Sequence, residues 1–67
     1  MIIKIADNYI NLDNVKWMVP VKRGESKYLL HIEFNPSGHI EIGNFSSLID
    51  LHTSIKNAEV IEFNTKS

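Results

Sequence analysis

The chain has 67 residues, a net charge of -1, 43% apolar and 22% charged residues, and no cysteine. A length of this order supports one domain, spanning residues 1–67, that buries only about 60% of the surface its unfolded chain exposes, so self-association would offset a small core. Near-neutral charge argues against global electrostatic binding of nucleic acid, the missing cysteine excludes disulfides and thiolate chemistry, and no apolar run reaches the roughly 20 residues of a membrane helix.

The opening segment MIIKIADN also lacks the apolar region of a signal peptide, so the expected location is cytoplasmic. Asp7 and Asn8 tolerate positive φ and predict a tight turn that pairs Ile5 with Ile10 and Ile3 with Leu12. Asp13 and Asn14 repeat the pattern and would pair Leu12 with Val15. Next, Arg23, Gly24, Glu25 and Ser26 read as a hairpin loop with Gly24 in the position that needs φ > 0. That register opposes Val21 to Tyr28, Val19 to Leu30, Trp17 to Ile32 and Val15 to Phe34, all apolar pairs. Asn35, Pro36, Ser37 and Gly38 form a second turn, with proline pre-set for its first central position and Gly38 in the left-handed position; Phe34 then faces Ile40 and Ile32 faces Ile42.

After Gly43 the period changes from two to helical. Ser46 or Ser47 is a natural N-cap, Asp50 falls near the positive end of the helix dipole, and Leu48, Ile49, Leu51, His52 and Ile55 recur at helical spacing. The fold class is therefore α+β, mostly β. An antiparallel meander of four to five short strands carries one short helix, about Ser47 to Asn57, on its apolar face, and an edge strand over Val60 to Phe63 closes the chain.

The predicted register leaves three clusters on the outward face. Met18, Pro20 and Leu29 form an apolar group, which points to an oligomer interface because a solvated sheet face is ordinarily polar. Lys22, Arg23 and Lys27 form a basic hairpin tip suited to an anion, although lysines at a tip also guard an edge against aggregation. His31, Glu33, His39 and Glu41 share the face, with Glu33 opposite Glu41 and Lys16 opposite Glu33; their donor types suit a divalent metal, but they lack any spacing motif.

Catalytic patterns are weaker still. Ser46, Ser47 and Ser54 lie near His52 in sequence, but without a glycine-rich elbow Ser47 reads as a cap. The phrase YINLDNVKWM, residues 9–18, resembles stretches of short bacterial and phage reading frames, a likeness that contains no functional residue and transfers no function. The expectation is a non-enzymatic binding or adaptor protein that self-associates, without a cofactor. The alternative is a phage-type inhibitor or sequestering protein holding a small anionic ligand such as a nucleotide between subunits, and a weak nucleic-acid binder comes third.

Overall fold

A computed structural model describes residues 1–62; Phe63, the expected end of the last strand, lies outside the described residues. Six strands and one helix follow in the order β1 (Ile2–Ile5), β2 (Asn8–Asn11), β3 (Val15–Gly24), β4 (Lys27–Phe34), β5 (His39–Phe45), α1 (Leu48–Lys56) and β6 (Glu59–Glu62). The strands form two antiparallel three-stranded sheets, ordered β2-β1-β6 and β3-β4-β5. The α+β, mostly β class holds, with the meander divided between two sheets.

The first hairpin turns one residue earlier than its sequence suggested. Ala6 and Asp7 take φ 46° and 66°, the double positive φ of a type I′ turn, and the Asn8 side-chain amide donates to the Ala6 carbonyl at 2.8 Å. Ile5 thus pairs with Asn8 and Ile3 with Ile10. Relative to the expected register this is a slip of two, which leaves every side chain on its face, so Ile3, Ile5 and Ile10 are all buried. Leu12–Asn14 form a short 3-10 turn, with the Asn11 side chain accepting from the Asp13 amide. It ends the first sheet, so the expected pairing of Leu12 with Val15 does not form. The Met1 ammonium lies 3.3 Å from the Asp13 carboxylate, and the Asn35 amide donates to the Asn14 carbonyl at 2.8 Å where the chain enters the second sheet.

In the β3–β4 hairpin the slip is one residue, and its effect is larger. Gly24 pairs with Lys27, leaving Glu25 and Ser26 as the loop, and Gly24 does not adopt positive φ. An extra residue in β3 at Arg23 and another at Lys16 bulge the strand, so Val15 still faces Phe34 as expected while residues 17–22 sit one place out of the expected register. Met18 pairs with Ile32 and Pro20 with Leu30, facing inward; Trp17 pairs with Glu33 and Val19 with His31, facing outward. The β4–β5 turn has Gly38 at φ 102°, as expected of a left-handed position, and the Phe34 amide donates to the Gly38 carbonyl at 2.9 Å. Here the slip is again two: Ile32 pairs with Ile40 and Leu30 with Ile42.

The helix forms where its capping residues predict. The Ser47 hydroxyl accepts from the Asp50 amide at 3.1 Å, the Ser46 hydroxyl donates to the Asp50 carboxylate at 2.6 Å, and Asn57 is the C-cap. Asp50 in the first turn and Lys56 in the last both favour the helix dipole. Leu51, fully buried, brings the helix down on β4 and β5 and joins Ile3, Ile5, Ile10, Leu30, Ile32 and Ile42 in one core drawn from both sheets. β6 pairs antiparallel with β1 and forms an edge, as a C-terminal edge strand should. The molecule is a slab of 46 × 25 × 14 Å. Among the described residues, no helix is long and apolar enough to cross a membrane.

Candidate functional site

The outward face of the β3-β4-β5 sheet carries the arrangement with the most chemistry. His31, on the central strand, is flanked along its own strand by Glu33 and across the ladder by Glu41. Its Nε2 lies 2.6 Å from Glu33 Oε2 and its Nδ1 3.1 Å from Glu41 Oε2. Glu41 Oε2 also accepts from the Arg23 guanidinium, and His39 Nδ1 stands 4.0 Å from Glu33 Oε2. The row therefore runs Arg23, Glu41, His31, Glu33 with alternating charge when His31 is protonated, and His39 stands beside Glu33 at its end, so that it crosses all three strands of the sheet.

Three rings stack nearly parallel across the same strands. His31 lies 5.4 Å from the Trp17 ring at 23° and 5.1 Å from the His39 ring at 20°. Diagonal neighbours on adjacent strands are within reach of aromatic side chains, which is how rings from β3, β4 and β5 meet. Trp17 remains 48% exposed and Val19 42%. With Val21 and Leu29, which pair across the ladder, they form an apolar band beside the ionic row.

Both nitrogens of His31 face a carboxylate, so the doubly protonated ring satisfies both contacts by donating to each. Its hydrogen bonds to Glu33 first and Glu41 second raise its pKa above the ordinary 6.5, against a smaller opposing effect of desolvation. Glu41 is held below its ordinary 4.5, chiefly by the hydrogen bond to His31 and then by Arg23. The charged forms support one another, and the described residues leave no buried side-chain nitrogen or oxygen unpaired.

Of the residues the sequence singled out, His31, Glu33, His39 and Glu41 do come together, with different partners from those expected. Glu33 faces His39 and Glu41 faces His31, in place of Glu33 against Glu41, while Trp17 takes the place expected of Lys16 opposite Glu33. They meet as donor and acceptor pairs; among the described residues no group of three or more His, Asp or Glu side chains is disposed to hold a metal ion.

The apolar cluster of Met18, Pro20 and Leu29 does not exist as one surface. Met18 packs against the core and Pro20 faces Leu30, while Leu29 stays on the other face. The basic tip is dispersed for the same reason. Lys22 faces Tyr28, with its ammonium 5.8 Å from the ring centroid, Arg23 reaches back to Glu41, and Lys27 opposes Gly24. Trp17 and Val19, missed as outward residues, sit in the run Trp17-Met18-Val19-Pro20-Val21, where both strand faces are apolar and alternation gives no guidance. Pro20 was the available signal, since proline within a strand marks an edge or a bulge. Comparison with protein-family models, with curated proteins and with solved structures gives no match.

Proposed function

We propose that this chain is a small non-enzymatic binding protein that acts by self-association through its second sheet. One observation carries the reading: half-exposed Trp17 and Val19 adjoin a row of charges that already satisfy one another. Covering free charges requires stripping their water without return, whereas charges paired within the surface keep their hydrogen bonds when it is covered. Such a face is suited to burial against a second sheet at the usual spacing of about 10 Å. The nucleotide alternative would place Lys22, Arg23 and Lys27 on the phosphates; in the single chain Arg23 pairs with Glu41 and the Lys22 ammonium stands over the Tyr28 ring, so phosphate would compete with those contacts.

Sedimentation equilibrium from 1 to 500 micromolar, a range chosen as roughly that of weak association, tests the proposal. The expected result is a mass that rises above the monomer with concentration, and a return toward monomer in Val19→Asp. A wild-type monomer across the whole range overturns the reading. A thermal-shift measurement with millimolar nucleotide addresses the alternative, since a ligand bound only by the folded state raises Tm by mass action.

A further inference from the structure

We infer that two copies of this chain join edge to edge along β5, with His39 of one copy opposite Glu41 of the other and the two Ile40 residues facing each other across a two-fold axis. The inference rests on the self-association reading for the expectation that copies meet, but it concerns the sheet's edge and comes from separate observations.

The second sheet has two edges, β3 and β5, and only one is protected. β3 contains Pro20, which has no N–H to offer, and is bulged at Lys16 and Arg23. Proline, bulges and cations are the usual means by which an edge is kept from pairing. β5 has no proline, bulge, lysine or arginine between His39 and Ile42, and its pairing with β4 is regular there.

The direction of the free backbone groups follows from one hydrogen bond. Because the Phe34 amide donates to the Gly38 carbonyl, Glu33 and His39 form a pair that exchanges no bonds directly. Ile32 and Ile40 are then the bonded pair, and the N–H and C=O of His39 and Glu41 point away from β4. Among the described residues, no backbone hydrogen bond outside the ladders involves either residue. Exposure agrees with this direction. Glu41 is exposed as a residue although its side chain is only 27% exposed, so the accessible part is main chain.

Charge then selects the register. An axis through Glu41 would oppose two carboxylates, and an axis through His39 would oppose two imidazoles. An axis through Ile40 opposes His39 to the partner's Glu41 twice over, and those are the residues whose backbone groups face outward, so both exchange bonds with the partner. His39 is 61% exposed and available for the contact, and Ile40, 37% exposed, meets its own copy as a close non-bonded pair. The result is a six-stranded sheet with both outward faces on one side. A three-stranded sheet offers a strip roughly 14 Å wide, narrow against the ~800 Å² per partner of a standard interface, and edge pairing doubles it.

The chain has no cysteine, so Ile40→Cys introduces a single reporter thiol. Opposed non-bonded residues have Cα atoms about 4.5 Å apart, within disulfide reach. With oxidised glutathione as oxidant, Ile40→Cys is expected to form a covalent dimer at least tenfold faster than Thr53→Cys, which lies on the exposed side of the helix. Cross-linking of the Ile40→Cys variant no faster than that of the Thr53→Cys variant, in a protein that sediments above the monomer mass, overturns the edge pairing and leaves self-association standing. A monomer at every concentration overturns both. Circular dichroism of Ile40→Cys matching the wild type confirms that the variant tested is folded.

Discussion

The two faces of the second sheet are held by different physics. On the inner face Leu30, Ile32 and Ile42 are fully buried and interact through dispersion and the removal of apolar surface from water. On the outer face, Trp17, His31 and His39 stack while His31 pairs with Glu33 and Glu41, and Glu41 with Arg23, in a zone where solvent screens charge. The same strand, β4, serves both faces through alternate residues. The inner face therefore sets whether the chain folds, and the outer face sets what the folded chain presents.

Substitutions on either face sharpen that division. Ile32→Ala should have the largest effect, a loss of about 2–5 kcal/mol, comparable with the whole stability of so small a domain. Urea unfolding should show the variant largely unfolded at 25 °C, while Leu29→Ala, on the opposite face of the same strand, keeps most of the wild-type midpoint. An Ile32→Ala midpoint equal to that of Leu29→Ala would remove the distinction between the faces. Gly43→Ala should come next. Gly43 has φ 88°, and an added Cβ would lie 2.3 Å from the Phe45 ring, which packs against the core. Displacing that ring should lower stability by roughly 1–3 kcal/mol, read as a reduced Tm. Ser47→Ala removes the cap of the helix that covers the inner face and should lower stability by about 1 kcal/mol, measured by urea midpoint.

The smallest effect belongs to the outer face and is read by its sign. Folding raises the pKa of His31 above 6.5, so its contribution is complete below that pH and disappears as pH rises through the folded value. Folding lowers that of Glu41 below 4.5, so its contribution is complete above that pH and disappears as pH falls through the folded value. Between pH 4.5 and 6.5 both operate. The stability difference between wild type and His31→Gln should be greatest in that window and shrink toward pH 9. A difference that instead grows with alkaline pH would show that the row is not held by the protonated ring.

Legibility in the sequence followed the parity of each strand's displacement. The Ala6–Asp7 and Asn35–Gly38 turns are each displaced so that pairing moves by two residues; side chains keep their faces, and Ile3, Ile5, Ile10, Ile32 and Ile42 are recognisable as core. The Glu25–Ser26 turn also displaces the pairing by two, at Gly24 and Lys27, but the bulge at Arg23 takes one residue back, so residues 17–22 end one place out and exchange their faces. Hydrophobicity could not have corrected this, because Trp17 to Val21 is apolar throughout and suits either side. The ionic row was readable because His31, Glu33, His39 and Glu41 lie on strands whose parity was unaffected. Trp17 and Arg23 joined it through β3, where parity failed. The helix was legible almost to the residue because Ser47 and Asp50 make a local cap whose geometry owes nothing to distant pairing.

The two bulges in β3 also bear on how this strand could change length. A residue lost from a regular ladder turns everything beyond it inside out, but Lys16 and Arg23 are each the unmatched member of their bulge. Deleting either would straighten the strand and leave Trp17, Met18, Val19 and Pro20 facing as they do now. Descendants of this sequence that are one or two residues shorter here would keep the same inside and outside, and aligning them would require placing the gaps at these two positions, within a strand and away from any loop.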